Sequence, residues 1–294
     1  MKAAHLQQLD RAISLASRPR LLKLLTQPHH LVQSKLHEFM ARGKPDGMPA
    51  LEKTFWDQPM HVVLPDRVSL TLLRYGFFEE ELTRAFIRLL QPGMVFFDVG
   101  ARIGYFSLLA SELVGTQGQV HSFEPTPNTF RLLRKNTETK PHITPVNAAV
   151  YSQEGPLQLQ DFGVTFSAFN SIYAGKMQDN ERKGLRARKY IAQAVTLAGY
   201  ITTSQVKPDV IKIDTEGAEL SILRGLEPAF DSCRPILTIE VGDSTAVGDM
   251  PRSRPVVDWL LAHGYRLTDF KDGKFVSHRP QNVYQYSNLV CFPQ

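Results

Sequence analysis

From residue 94 onward, short apolar runs alternate with segments whose apolar residues recur every three or four positions. The first pattern predicts buried strands and the second predicts amphipathic helices. The predicted strands are 94–99, 119–123, 143–146, 209–213, 236–241, 265–270 and 288–292, and the predicted helices are 103–114, 129–136, 218–223 and 256–263. Alternation at this spacing predicts a doubly wound α/β sheet, mostly parallel, with right-handed crossovers.

The alternation is interrupted at residues 151–208. An insertion at this point would lie near the carboxyl ends of the strands, where such sheets select their substrates. Within it, Phe166–Tyr173 mixes apolar side chains with hydroxyls and one amide, so Asn170 and Ser171 are candidate acceptor-binding residues. An irregular hairpin without a functional role is the equal alternative for this stretch.

The pattern divides the chain into three segments. Residues 1–50 are a predicted helical extension, residues 51–93 are a predicted hairpin and helix leading into the core, and residues 94–294 are the α/β domain. The hairpin is predicted from two alternating runs, Met60–Leu64 and Val68–Leu72, on either side of a Pro-Asp pair.

Composition and charge narrow the class of protein. With 43% hydrophobic and 21% charged residues, the chain can bury a full core. The net charge is +5, and residues 1–45 hold eight Lys and Arg against two acids, a net +6 that leaves −1 for the remainder. A nucleic-acid enzyme would usually carry its basic surface around its site, so no nucleic-acid partner is expected.

The two cysteines, Cys233 and Cys291, form no CxxC pair, so neither a zinc site nor a disulfide framework is predicted. No apolar stretch of signal-peptide or membrane-span type is found, and a cytoplasmic protein is expected. The basic N-terminal helices could rest weakly on an anionic membrane surface. The favoured alternative is that they cover the cleft or form a contact in a homodimer.

The sharpest local signal is the turn after the strand at 94–99, which reads Asp98-Val-Gly100-Ala101-Arg102-Ile-Gly104. Glycines let the backbone approach a ligand, and the N-terminus of the next helix offers free N–H groups. The spacing is G-x-x-x-G instead of the G-x-G-x-x-G of dinucleotide sites. Asp98 would repel a pyrophosphate but would suit a ligand that carries an ammonium. A purely structural turn is the alternative.

A second signal is Glu124-Pro125, directly after the strand at 119–123 and about 20 residues beyond the glycine turn. A carboxylate at this place can accept both hydroxyls of a nucleoside ribose. The alternative is that Glu124 caps the following helix. Asn147 and Ala148, at the end of the strand at 143–146, are where an adenine ring would lie in such a fold.

A third signal is the acidic turn Asp214-Thr-Glu216-Gly-Ala-Glu219, which follows an apolar strand. Asp214 should face the same crevice as Asp98, because both lie at the carboxyl ends of central strands. The alternatives are that Asp214 is a helix N-cap and that Glu216 and Glu219 complement the helix dipole.

These motifs resemble those of the FkbM-type S-adenosylmethionine-dependent methyltransferases, over roughly residues 60–292. The family's D-V-G-A-N-x-G motif is matched at Asp98–Gly104, and its glutamate-proline at Glu124-Pro125. Its K-I-D-x-E-G-A-E motif, the most specific of the set, is matched at Lys212–Glu219. A glycine-x-aromatic-glutamate stretch ahead of the first strand is similar to Gly76–Glu79.

The resemblance implies a Rossmann-like class I methyltransferase fold, with a mostly parallel seven-stranded sheet, helices on both faces and S-adenosylmethionine as cofactor. It adds Glu79 to the candidate cofactor-binding residues. The family usually has asparagine where this chain has Arg102, and asparagine tolerates left-handed backbone angles better. Either the turn is right-handed at Arg102, or strain is accepted so that the guanidinium reaches the cofactor's carboxylate or an acidic substrate.

The implied reaction is methyl transfer to a hydroxyl of a sugar, glycan or secondary metabolite, and that hydroxyl must lose a proton. Asp214 is the first candidate base, besides its place among the cofactor-binding residues, and Glu216 is the second. Both are expected to have raised pKa values, because acids surround them. Glu219 is a candidate substrate-binding residue. No metal is predicted; Mg²⁺ held together with Glu240 is the weaker alternative.

Three other functions remain open at this point. An N-methyltransferase has no sequence feature that separates it from an O-methyltransferase. A dinucleotide-dependent oxidoreductase is disfavoured by Asp98 and the glycine spacing. A non-catalytic cofactor-binding module is disfavoured because acids stand in register at Asp98, Glu124 and Asp214.

Overall fold

The computed structural model describes residues 2–18, 36, 39–40, 47–165, 188–243 and 252–294. Its helices are α1 (Lys2–Ala16), α2 (Arg67–Tyr75), α3 (Glu80–Leu89), α4 (Tyr105–Val114), α5 (Pro127–Thr137), α6 (Leu197–Ser204), α7 (Glu219–Leu226) and α8 (Arg254–Ala262). Its strands are β1 (Met48–Lys53), β2 (Pro59–Leu64), β3 (Val95–Val99), β4 (Gln119–Phe123), β5 (Ile143–Val146), β6 (Ala149–Val150), β7 (Gly155–Asp161), β8 (Arg188–Val195), β9 (Val210–Ile213), β10 (Ile236–Val241), β11 (Tyr265–Lys271), β12 (Lys274–Ser277) and β13 (Ser287–Pro293).

The chain forms two compact units. The N-terminal unit comprises Met1–Leu89 together with Gly163–Ala168, and the second unit comprises Leu90–Phe162 together with Phe169–Gln294. The candidate acceptor residues Asn170 and Ser171 lie outside the described residues.

The N-terminal unit contains a hairpin, but not the predicted one. β2 pairs antiparallel with β1, and the predicted pairing of Met60–Leu64 with Val68–Leu72 is wrong, because Val68–Leu72 belongs to α2. The Asp66 carboxylate accepts a hydrogen bond from the Ser69 N–H at 3.0 Å and thereby caps α2. Gly76 ends α2 in a left-handed conformation, with φ 73°. These caps outweigh the alternating pattern.

The remaining helices of this unit follow their sequence patterns. α3 carries two acids in its first turn, Arg88 in its last turn and a buried stripe that includes Leu82 and Phe86, as the helical spacing predicts. α1 buries Leu9 and contacts α3, where the Asp10 carboxylate and the Arg84 guanidinium form an ion pair at 2.6 Å.

The second unit is built on an eight-stranded sheet in the order β12-β11-β13-β10-β9-β3-β4-β5. The five strands from β10 to β5 are parallel, and β13, β11 and β12 are antiparallel to their neighbours. The doubly wound, mostly parallel sheet is therefore confirmed.

The predicted number of seven strands is wrong by one, because β12 extends the sheet beyond β11. The β11–β12 turn is Asp272-Gly273, and both residues have positive φ, at 50° and 74°. Asp-Gly is the strongest short signal for a two-residue hairpin, and it was available in the sequence.

The sheet is buried on both faces. Phe97, Ile211 and Ile239 face a core that includes residues of α6, α7 and α8. Because side chains alternate along a strand, Asp98 and Lys212 face the opposite side, where α4 packs on β3 and β4. The interruption after β5 forms a separate three-stranded sheet in the order β6-β8-β7, followed by α6.

Among the helices of the described residues, none combines the length and the apolar composition that crossing a membrane requires.

Candidate active site

The candidate site lies at the carboxyl ends of β4, β3, β9 and β10, which are neighbours in the sheet. The chain proceeds from β3 toward β5 on one side and continues at β9 and β10 on the other, so β3 and β9 flank the topological switch point. Crevices at such points bind the ligands of open α/β sheets. The tips carry Glu124 after β4, the glycine turn after β3, Asp214 after β9, and Glu240 within β10.

The glycine turn is held by its neighbouring strands. The N–H groups of Gly100 and Ala101 both donate to the Phe123 carbonyl, at 3.1 and 3.0 Å, and the Asp214 N–H donates to the Val99 carbonyl at 3.1 Å. Gly100 has φ 82°, and a Cβ there would lie 1.9 Å from the Asp214 carbonyl oxygen. Only glycine allows this approach, which brings the turn against the start of the acidic loop.

Gly104 begins α4 with φ 91°, and a Cβ there would lie 2.7 Å from the Leu133 side chain. This glycine lets α4 and α5 come together beneath the turn. Both glycines of the G-x-x-x-G motif are therefore required by the local backbone conformation and by close packing.

Arg102 adopts the left-handed conformation, with φ 51°. Of the two alternatives, strain at this residue is therefore the one observed, at a cost of about 1–2 kcal/mol for a non-glycine residue. The Arg102 N–H donates to Glu124 Oε2 at 3.2 Å. The Arg102 charge also lowers the pKa of both Glu124 and Asp214, so the guanidinium acts on both acids.

The Glu124 carboxylate is 5% exposed and is held on two sides. Besides the contact with Arg102, Oε1 accepts from the N–H of Thr126 at 2.9 Å and from its hydroxyl. A carboxylate offers about four acceptor positions, so roughly one remains, fewer than the two predicted for ribose hydroxyls. Burial raises the pKa of Glu124 to about 7, against the opposing effects of Thr126 and Arg102.

Lys212 joins Asp98 to Asp214. Its side chain is 3% exposed, and its Nζ lies 3.0 Å from Asp214 Oδ2 and 3.6 Å from Asp98 Oδ1. Asp98 Oδ2 also accepts a hydrogen bond from Ser107 of α4 at 2.6 Å. Burial raises the pKa of Asp98, although Lys212 and Ser107 act in the opposite direction. Asp98 and Asp214 thus share one cation. Asp98 is 0% exposed, whereas the Asp214 side chain is 18% exposed, and direct contact of Asp98 with a ligand stays a prediction.

The expectation of a raised pKa at Asp214 is wrong. Burial does raise it, but the Lys212 ammonium, a hydrogen bond with Glu240 and the Arg102 charge outweigh burial, and the pKa lies below its ordinary value. The expectation considered only the neighbouring acids, whereas the fold places two cations beside this carboxylate. A carboxylate with a lowered pKa is a weak proton acceptor.

Glu216 lies in a strained turn after Asp214, with φ 60°, and is followed by Gly217 with φ 112°. Asp214, Glu216 and Glu240 each have a carboxylate oxygen within 4.8 Å of the other two. Non-glycine residues with positive φ cluster at functional sites, where surrounding contacts hold the strain. That no metal is bound among these acids stays a prediction.

Glu219 is 8% exposed, and its carboxylate is engaged within its own loop. Oε1 accepts from the Thr215 N–H, the Thr215 hydroxyl and the Gly217 N–H, each at 3.1 Å. These contacts hold the acidic turn in shape. A substrate-binding role for Glu219 stays a prediction, and its contacts favour a structural one.

The other candidate residues have mixed positions. The Asn147 amide donates to the carbonyls of Glu124 and Pro125, at 2.9 and 3.1 Å, and so ties the end of β5 to the Glu124 turn. Ala148 beside it is buried. Glu79 belongs to the N-terminal unit, where it precedes α3 with φ 43°. Adenine contacts at Asn147 and Ala148, and cofactor contacts at Glu79, stay predictions.

Two residues that contact Asp98, namely Lys212 and Ser107, were not among the candidate residues from the sequence. Lys212 has a direct signal in the sequence, because a lysine within a buried apolar strand must find a charged partner. Ser107 has no such signal, since a serine in a helix is common, and only the packing of α4 on β3 brings it to Asp98.

Comparison with known proteins gives a consistent answer. The Methyltransferase FkbM domain model matches residues 98–267. The hexuronic acid methyltransferase AglP of Haloferax volcanii is 24% identical over 209 residues, 69% of this chain and 78% of that protein. The 31-O-demethyl-FK506 methyltransferase FkbM of Streptomyces tacrolimicus is 31% identical over 210 residues, 63% and 78% of the two chains.

Solved structures similar to this chain include a methyltransferase FkbM from Methylobacillus flagellatus. It has 15% identity and a TM-score of 0.41, over 78% of this chain and 56% of that one.

Proposed function

The chain belongs to the FkbM methyltransferase family, and from this premise we propose that it transfers a methyl group from S-adenosylmethionine to an oxygen of a sugar-like or secondary-metabolite acceptor. The observation that carries the proposal is the set of carboxyl groups at Glu124, Asp214 and Glu240, which lie at the carboxyl ends of β4, β9 and β10 in one sheet. Family membership removes the dinucleotide-dependent oxidoreductase from the alternatives.

The residues at the switch point fit this donor. Glu124 keeps about one acceptor position for a ribose hydroxyl, and the carboxyl groups of Asp214, Glu216 and Glu240 lie within 4.8 Å of one another, which suits a ligand with a positive charge. The bound donor would supply a methyl group on a sulfonium, whose leaving group needs no proton. Glu124, the Gly100–Gly104 turn and Asp214 are the residues that would hold it.

The protein's own chemical task is to orient the acceptor and to remove its proton. Asp214 is paired with cations, so it orients and binds. Glu216 follows two residues later in a strained turn, with its carboxylate within 4.8 Å of those of Asp214 and Glu240, and we assign to Glu216 the removal of the proton from the acceptor hydroxyl. This reverses the order in which the sequence ranked the two acids.

The nature of the acceptor rests on the relatives. By their names, one acts on a hexuronic acid and another on 31-O-demethyl-FK506. Both names fit an oxygen as the methyl acceptor. Arg102, a cation in an acidic site, fits a carboxylate either on the donor or on an acidic sugar.

A direct test offers isotopically labelled S-adenosylmethionine together with a panel of a uronic acid glycoside, a neutral glycoside, a macrolide alcohol and an amino sugar. We expect label on an oxygen, identified by fragmentation in a mass spectrometer. Label on the amino-sugar nitrogen alone would favour the N-methyltransferase alternative. Absence of any binding of S-adenosylmethionine or S-adenosylhomocysteine to the folded protein would contradict the proposal itself.

The raised pKa of Glu124 predicts a pH dependence of cofactor affinity. Ribose hydroxyls donate to the ionised carboxylate, which in the ligand-free protein forms only as the pH rises through about 7. Affinity for S-adenosylhomocysteine is therefore expected to increase about tenfold from pH 6 to pH 8. Isothermal titration calorimetry at several pH values measures this.

The control for this experiment is Glu124→Gln, which cannot ionise. Its affinity should be lower than that of the wild type at pH 8 and should lack the tenfold rise. If the wild-type affinity is the same at pH 6 and pH 8, Glu124 does not meet the ribose as a carboxylate.

A further inference from the structure

The buried face of the sheet beneath the cleft carries a polar row that runs straight across four parallel strands. Ser122 is in register with Asp98, Asp98 with Lys212, and Lys212 with Thr238. All four side chains belong to residues that are at most 2% exposed. A polar row is an unusual filling for the centre of a parallel sheet, where both faces are normally apolar.

From Ser122 to Lys212 the row is connected through side-chain contacts. The Ser122 hydroxyl donates to Ser107 Oγ at 2.8 Å, and the Ser107 hydroxyl donates to Asp98 Oδ2. Lys212 Nζ then stands between Asp98 and Asp214, and the Phe106 ring of α4 lies 5.2 Å from it. These contacts therefore lead from the protein interior to Asp214 at the strand tip, whose side chain is 18% exposed.

We propose that Lys212 is a positioning residue for methyl transfer: its ammonium fixes the carboxylate of Asp214 in orientation and charge, so that Asp214 meets the donor as a hydrogen-bond acceptor and not as a proton carrier. This inference rests on the proposed function. Lys212 itself is buried below Asp214 and acts through it.

The charges around the ammonium support this assignment. Asp98 of β3 lies beside the Lys212 ammonium, and Ser107 of α4 donates a hydrogen bond to Asp98. The Phe106 ring of α4 also faces the ammonium. Thr238 of β10 is paired in register with Lys212. Asp214 in turn meets Glu240 and the Arg102 charge. A lysine is costly to bury and is tolerated only when paired, and removing one member of a buried ion pair leaves the other uncompensated.

A structural role and a positioning role differ in their response to pH. Without the ammonium, Asp214 loses the main influence that lowers its pKa, so it becomes neutral at higher pH than in the wild type. Neutral Asp214 is a poorer hydrogen-bond acceptor, so the cofactor affinity of a variant without the ammonium should weaken as the pH falls. A loss that came from general destabilisation would be the same at each pH.

The experiment measures the affinity of Lys212→Met and of the wild type for S-adenosylhomocysteine from pH 5.5 to pH 8 and takes their ratio, which cancels the contribution of Glu124. We expect the variant to lose at least tenfold more affinity, relative to the wild type, at pH 5.5 than at pH 8. Lys212→Arg, which keeps a cation, should restore a flat ratio. Thr238→Val is the matched control in the same row and should also give a flat ratio.

If Lys212→Met does not fold, Asp98→Asn combined with Lys212→Met removes both members of the inner pair and still leaves Asp214 without its cation. The affinity of this double variant, relative to the wild type, is expected to fall in the same way toward pH 5.5. A ratio that stays constant from pH 5.5 to pH 8 overturns the proposal. If the wild type does not bind S-adenosylhomocysteine at all, the proposed function fails and not the role of Lys212 alone.

Discussion

Replacing Gly100 with alanine is expected to lower the free energy of unfolding by more than about 3 kcal/mol and to weaken cofactor binding about 100-fold. The new Cβ would lie 1.9 Å from the Asp214 carbonyl oxygen, so the turn and the acidic loop must separate. That movement displaces Asp214 from the cleft and breaks the contact between its N–H and the Val99 carbonyl. Denaturant unfolding and calorimetry with S-adenosylhomocysteine measure the two effects.

The matched control is Gly93→Ala. Gly93 has φ 86°, close to the 82° of Gly100, but a Cβ there would meet nothing within 4 Å. Its cost should be only that of the left-handed conformation, about 1–2 kcal/mol, with cofactor affinity unchanged. If the two variants have equal stability and equal affinity, the close approach of Gly100 to the acidic loop does not matter to the protein.

Replacing Asp214 with asparagine is expected to weaken cofactor binding, whereas replacing Glu216 with glutamine is expected to slow turnover. Asp214→Asn removes the nearer of the two carboxylates at Lys212, at 3.0 Å against 3.6 Å for Asp98, and takes a charged acceptor from the cleft, so it should weaken cofactor binding by at least about tenfold. Glu216→Gln keeps the shape of the residue and should leave cofactor affinity within about twofold. Its turnover should fall by 10²- to 10⁴-fold, the usual contribution of a general base.

Both variants should be measured with the best acceptor of the panel, by rapid-quench transfer of labelled methyl and by titration with S-adenosylhomocysteine. Glu240→Gln, in the same acid cluster, is the control for simple replacement of a carboxyl group by an amide. If Asp214→Asn loses turnover while it keeps full cofactor affinity, Asp214 is the base after all. The assignment of the proton to Glu216 would then be wrong.

The order of sheet elements in the second unit was predictable because strand and helix periods differ. The strands at 119–123, 143–146 and 236–241 are found with the predicted bounds. The pattern failed at Val68–Leu72, where alternation over five residues also fits a helix. The segment forms a helix because Asp66 caps its N-terminus and Gly76 ends it. Short segments are ambiguous by periodicity alone, and their ends carry the information.

The electrostatics of the site were less predictable. The sequence indicates Asp98, Glu124 and Asp214 because each lies at or directly after the carboxyl end of an apolar strand, and the parallel sheet does bring these strand ends together. The sequence-based expectation for the Asp214 pKa had the wrong direction, because it considered the acids after Asp214 and not the cations. Lys212 lies two residues before Asp214, near the end of β9, and Arg102 approaches from another turn.

The sequence by itself determined the alternation of strands and helices, the position of the glycine turn and which acids stand at strand tips. These follow from local periodicity and from backbone conformations that only glycine adopts easily. The tertiary structure alone decided which charges face one another: that Lys212 is shared by Asp98 and Asp214, and that Glu219 holds its own loop. The physical reason is that a charge interacts through distance and burial, and both are set only when strands from distant parts of the chain pack side by side.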